Sequence, residues 1–123
     1  MVREVLFYKE DDGSVPILDW FDTLPLSAQD KCLVRLERLE ALGPALRRPE
    51  ADYLGDGIYE LRAKHAGINY RMLYFFHGTR AVIVSHGFAK QQAKVPSREI
   101  DLALKRKQRF QEVPGRHTFL PES

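Results

Sequence analysis

A chain of 123 residues, 44% hydrophobic and 29% charged, has an ordinary globular composition and enough apolar material for one core. No apolar run approaches the ~20 residues that span a bilayer, and the lone cysteine, Cys32, excludes an intrachain disulfide or a cysteine-rich zinc site. Net charge is only +2, yet residues 1–56 carry 7 Lys+Arg against 12 Asp+Glu while residues 57–123 carry 12 against 5, which points to a polyanionic partner for the second half.

The opening "MVREVLFYKEDDG" has too short an apolar patch for a secretory leader, and acids follow at once. A cytoplasmic location is expected. Within it "REVLFYK" (3–9) reads as a strand, ended by the turn cluster "EDDGS". Pro16 suits the first turn of a short helix carrying Ile17, Trp20, Phe21 and Leu24. "LSAQDKCLVRLERLEALGP" is the clearest helix, with Ser27 as expected N-cap, Cys32, Leu36 and Leu39 at helical spacing, and Gly43-Pro44 as its stop. Residues 44–56 read as loop.

Strands follow at roughly 58–64, 68–76 and 81–89, joined by "HAG" and "HGTR", both short enough for hairpins. Val95-Pro96-Ser97 opens a last helix, about 98–111, with Ile100, Ala103, Leu104 and Phe110 as its apolar face. The tail, 112–123, reads as irregular. One domain over 1–123 is expected, of class α+β in the order β-α-α-β-β-β-α, with a small, mainly antiparallel sheet.

Hairpin arithmetic turns this order into a candidate site. With Ala66-Gly67 as a two-residue turn, Arg62 faces Arg71 and Lys64 faces Asn69. With Gly78-Thr79 as another, Arg71 also faces His86 and Asn69 faces Phe88. The reverse face then collects Tyr59, Leu61, Tyr70, Met72, Tyr74 and Ile83 as a core side. Like charges directly opposite one another on a sheet are unfavourable by roughly 0.2–1 kcal/mol, so something must neutralise the facing arginines. A phosphate suits two guanidinium forks with a lysine point charge nearby, and Phe88 would stack on an unpaired base. The competing assignments are an ion pair from Arg62 to Glu60 or to an acid of the first helices, a satisfied strand histidine for His86, and core packing for Phe88. His65 and His77 fall in turns.

The segments "GIYELRAK", "NYRMLYFF" and "VIVSHGFAKQQAKVPSREIDLALKR" resemble the RelE/ParE superfamily of bacterial type II toxins, and among these the HigB-like, phage-related branch. The resemblance implies a RelE-like fold and a toxin that cuts mRNA, usually on the ribosome, held inactive by a cognate helix-turn-helix antitoxin. It assigns Arg62 and Lys64 to the basic positions after "Y-x-L", Arg71 to the arginine of "Y-R", and Lys90 to the basic residue that follows the glycine of the next strand. Two departures stand out: the basic run at "GFAKQ" is sparse, and the tail offers Phe110, His117 and Phe119 where relatives often use a tyrosine.

The expected activity is metal-independent endoribonuclease chemistry by 2′-hydroxyl attack on the adjacent phosphate. The catalytic set is Arg62, Lys64, Arg71, His86 and Lys90, with Asn69, Phe88 and Lys94 contacting RNA. His86 serves as acid or base with Lys64 or Lys90 as its partner, while Arg62 and Arg71 stabilise the charge that develops on phosphorus. No cofactor, metal or membrane is expected, and no H-E-x-x-H spacing occurs. Two other functions fit the same sequence: a ParE-like toxin that binds DNA gyrase and is no nuclease, and a single-stranded RNA-binding module that never cuts.

Overall fold

The structure, a computed structural model, describes residues 4–90 and 94–119. Its elements in chain order are β1 (Glu4–Tyr8), α1 (Pro16–Phe21), α2 (Leu26–Leu42), β2 (Ala51–Gly55), β3 (Ile58–His65), β4 (Ile68–His77), β5 (Ala81–Lys90), α3 (Ser97–Glu112) and β6 (Thr118–Phe119). The six strands form one open sheet in the order β2-β3-β4-β5-β1-β6. Only β1 and β5 run parallel; the other neighbours are antiparallel. The fold is α+β, compatible with a RelE-like architecture.

Local chemistry explains most boundaries. Gly43 takes a positive φ of 53° and ends α2 where the Gly-Pro pair predicted. Its start differs: Pro25 occupies the N-cap position and Ser27 lies inside the first turn, with no side-chain cap. Residues 51–55, expected as loop, form the edge strand β2, whose Asp and Gly content hides its β character. Of the tail expected to be irregular, the described residues form a 3-10 turn at Pro114–His117 and the short strand β6 against Phe7 and Tyr8, while residues 120–123 lie outside the described residues.

Helices cover both faces of the sheet, which the sequence reading did not anticipate. α1 and α2 lie on one face over Phe7, Leu61, Met72, Tyr74 and Val84. α3 lies on the other, where Leu6, Ile58, Leu73, Phe75, Ile83, Phe88, Ala103 and Phe110 make a second apolar cluster. Each large side chain fully buried this way contributes roughly 1.5–3 kcal/mol. At Gly87 the α1 side leaves no room for a side chain, because a Cβ there would overlap the ring of Trp20.

The first hairpin has the predicted register. Ala66 and Gly67, both at positive φ, form the two-residue turn and set Arg62 opposite Arg71 and Lys64 opposite Asn69. The second does not. Its loop has three residues between the paired His77 and Ala81, and a bulge between Leu73 and Tyr74 leaves Ser85 as the extra residue of β5. Each adds one residue to β5, so between them the strand is inverted and Ile83 joins the α3 face, not the reverse face with Leu61 and Met72 expected for it. Beyond the bulge the parity returns, displaced by one pair. Arg71 faces Phe88 instead of His86, Leu73 faces His86, and Asn69 faces Lys90 instead of Phe88.

Candidate nucleic-acid interface

Three rows cross β3, β4 and β5 on the α3 face. From the middle of the sheet outward they are Glu60–Leu73–His86, Arg62–Arg71–Phe88 and Lys64–Asn69–Lys90. Burial falls along this series. Glu60 is 1% exposed and Arg71 4%, the Arg62 side chain 34%, and Lys64 is exposed with Asn69 half-buried. Exposed Lys94 lies four residues beyond Lys90, and exposed Arg98 sits in the first turn of α3.

The anion that meets the facing arginines comes from the chain itself. Arg62 Nε donates to Glu60 Oε1 at 2.6 Å, and Arg71 Nη1 lies 3.5 Å from Glu60 Oε2. Arg62 Nη2 also reaches Asp52 Oδ2 at 3.2 Å, and Arg48 Nη2 reaches the same oxygen at 3.0 Å. Arg48 is the main cause of the depressed Asp52 pKa, with burial opposing it. The network sets three guanidinium groups against two carboxylates and keeps one net positive charge. A phosphate is therefore not needed to hold Arg62 and Arg71 together; Glu60, the competing partner weighed for Arg62, does so. What the network leaves on the surface is a partly exposed Arg62 in fixed orientation, next to Lys64.

His86 belongs to a different constellation from the one expected. It is 7% exposed, with Nε2 3.0 Å from Glu99 Oε1 and Nδ1 2.8 Å from Ser85 Oγ. Burial, followed by the charge of Arg106, pushes its pKa below the usual histidine value, and the Glu99 contact opposes the shift. In the neutral ring that results, Nε2–H donates to the Glu99 carboxylate and Nδ1 accepts from the Ser85 hydroxyl. This pins the first turn of α3 to β5.

Phe88 is likewise interior, 8% exposed beneath α3 with its ring 6.0 Å from that of His86, so its face is not offered to a base. The aromatic residues of the tail lie elsewhere. Phe110 is buried against Phe75, His117 stacks on Tyr8 at 5.1 Å, and Phe119 stacks on Phe7 at 6.4 Å.

Of the residues predicted for the site, the structure thus brings Lys64, Asn69 and Lys90 into one row, backed by Arg62 and Arg71. It places His86 and Phe88 inside. Sequence reasoning did not assign Asp52, Ser85 or Glu99. Glu60 and Arg62 alternate by two on one strand, a signal available in advance; Asp52 sat in a presumed loop, and Glu99 reaches β5 only through the packing of α3.

Over residues 19–108 the chain matches the family described as Phage derived protein Gp49-like (DUF891), nearly three quarters of its length. The chain belongs to the Gp49-like family. This is a RelE/toxin-like family of phage-derived proteins. The matched span begins in α1 and ends in α3, so it takes in all three rows of the Gp49-like basic face. A comparison with curated proteins finds no match. No helix among the described residues is long and apolar enough to cross a membrane.

Proposed function

We propose that this Gp49-like protein is the toxin of a type II toxin–antitoxin pair, of the HigB-like branch, and an endoribonuclease that cuts mRNA on the ribosome in the cytoplasm. Its cognate antitoxin is a helix-turn-helix protein. The observation that carries the reading is the row Lys64–Asn69–Lys90, in register across three adjoining strands at the end of the sheet. Membership of a toxin-like family supports it.

In the proposed reaction the 2′-hydroxyl of one nucleotide gives up its proton and attacks the adjacent 3′-phosphorus. The P–O5′ bond breaks, and the departing 5′-oxygen takes a proton. The products are a 2′,3′-cyclic phosphate and a 5′-hydroxyl. Extra negative charge builds on the phosphorane oxygens in between, and preorganised cations there lower the barrier. Lys64, Lys90 and the exposed part of Arg62 supply them, with Lys64 or Lys90 also in proton transfer, while Lys94 and Asn69 hold the neighbouring strand. Arg71 acts through Glu60, which fixes Arg62. His86 acts through Glu99, which fixes the start of α3 beside the row.

The test is cleavage of a translated message by the purified protein, with the ends of the fragments characterised. Lys64→Ala should lower cleavage by 10²-fold or more, the scale of losing a transition-state charge contact. Unchanged cleavage in Lys64→Ala and Lys90→Ala would remove the row from the site. Inhibition of gyrase supercoiling without RNA cleavage would move the protein to the ParE-like alternative.

A further inference from the structure

The turn that follows α2 and the edge strand β2 enclose a pocket of about 390 Å³, walled by Pro44 and Leu46 and lined by Tyr53, Tyr59, Arg47 and Arg48. Tyr53 is 55% exposed, yet its ring is held in place from two sides. It lies 4.8 Å from the ring of Tyr59, and its hydroxyl accepts the Gly57 N–H at 3.0 Å. Tyr59 in turn stacks on buried Tyr74 at 5.3 Å. Arg47 is exposed and enters no ion pair among the described residues. The Arg48 side chain is 75% exposed and bound through Nη2 to Asp52 Oδ2 at 3.0 Å. The same oxygen accepts from Arg62 Nη2 at 3.2 Å, so a single carboxylate oxygen stands between the pocket and the arginine beside Lys64.

We propose that this pocket holds one unpaired base of the RNA strand next to the cleaved linkage, stacked on Tyr53, with its phosphate on Arg47 and Arg48. An aromatic ring already fixed by its neighbours loses little freedom when a base lies on it, and such stacking is the usual way to hold a single strand. The volume suits a nucleotide-sized ligand. Charge agrees with this occupant: two guanidinium groups line the pocket against one carboxylate, which Arg62 shares. Arg48 and Arg62, joined through one oxygen, are close enough to meet consecutive phosphates of one strand. Asp52 is fully engaged, with Oδ1 accepting the Tyr53 N–H at 3.0 Å and Oδ2 accepting from the two arginines. The pocket's carboxylate is therefore not free to read a base edge, and recognition goes by stacking strength, which favours purines.

The proposal deepens the toxin reading by adding a base-holding subsite to the lysine row, and it rests on that reading for the identity of the strand as mRNA alone. Binding of a strand that cannot be cut separates the two: failure of the pocket shows in affinity, failure of the toxin reading in cleavage.

The experiment titrates the full chain into fluorescein-labelled 2′-O-methyl octanucleotides, which lack the attacking hydroxyl, and reads anisotropy. The probes are oligoadenylate, oligouridylate and an abasic strand of the same length. Oligoadenylate should bind most tightly and the abasic strand at least 5-fold more weakly, the scale of one base on one aromatic ring. Tyr53→Ala should remove that difference, while Tyr53→Phe, which keeps the ring, should retain it. Arg47→Ala should weaken all three probes and lower the slope of log affinity against log salt by about 0.7. Lys64→Ala should weaken all three alike and leave their ratios unchanged. Equal binding of oligoadenylate and the abasic strand by the wild type, or a difference that survives in Tyr53→Ala, would overturn the proposal. So would adenosine monophosphate binding as tightly as the octanucleotide, which would give the pocket to a free nucleotide.

Discussion

Replacing Glu60 with glutamine keeps the size of the side chain and removes its charge, and burial sets the scale of the result. Glu60 is 1% exposed and the Arg71 side chain 4%, so the variant leaves a guanidinium in the interior without its carboxylate. Removing one partner of a buried ion pair costs about 3–5 kcal/mol. By contrast, a surface pair such as Arg48–Asp52, whose arginine is 75% exposed, contributes about 0–1 kcal/mol. With a urea slope of about 2 kcal/mol/M for a domain of this size, Glu60→Gln should lower the unfolding midpoint by roughly 2 M. The double variant Glu60→Leu/Arg71→Met removes both charges and fills the space with apolar atoms, so it should be more stable than Glu60→Leu alone. Urea titrations followed by circular dichroism supply all the values. A loss below about 1 kcal/mol in Glu60→Gln, or a double variant whose loss equals the sum of the two singles, would refute the assignment of Glu60 as the counter-ion of the buried arginine.

Other outcomes are expected. Lys64→Ala should leave stability within about 0.5 kcal/mol, since its side chain is exposed, while lowering the slope of log affinity for single-stranded RNA against log salt by about 0.7; an unchanged slope would mean that Lys64 touches no phosphate. The depressed pKa of His86 means that, below the unfolded value of about 6.5, the unfolded chain binds a proton that the folded chain refuses. Stability should therefore fall as pH drops through 6.5 toward the folded pKa, by at most about 1.4 kcal/mol per pH unit, and His86→Gln should remove that component; parallel stability–pH curves for the two proteins would contradict the buried, neutral histidine. Gly87→Ala forces a Cβ against the Trp20 ring and should cost about 1–3 kcal/mol, part of which Trp20→Leu should restore in a thermal melt.

The parts of the fold that are local in sequence were legible before the structure. The turn at Ala66-Gly67 fixed the register that pairs Arg62 with Arg71 and Lys64 with Asn69, and Gly43-Pro44 marked the end of α2. Features that depend on one residue more or less were not. The three-residue loop after His77 and the bulge at Ser85 each displace β5 by one position, and no pattern in "HGTRAVIVSHGFAK" announces either. Their sum restores the parity of Arg71, His86 and Phe88, so the face was right while the partners were wrong.

The role of α3 was hidden for another reason. Its apolar stripe predicts a covered face, but not which face of the sheet it covers. Once it lies over Phe88 and draws Glu99 to His86, two candidate ligand-binding residues become interior. Family resemblance could not supply this correction, because it assigns residue types to positions and says nothing of the carboxylates beside them. The same limit explains why Glu60, two residues before Arg62 on the same face, was weighed only as a competing partner.

The central claim is that the row Lys64–Asn69–Lys90 at the end of the sheet brings about cleavage of RNA. The most direct measurement is to incubate the wild-type protein and the Lys64→Ala and Lys90→Ala variants with a translating message, and to map the fragment ends. The account predicts discrete cuts bearing 5′-hydroxyl and 2′,3′-cyclic phosphate termini with the wild type, and cuts reduced by 10²-fold or more with Lys64→Ala while its unfolding midpoint is unchanged. An intact message with the wild-type protein, or equal cutting by all three proteins, would contradict it.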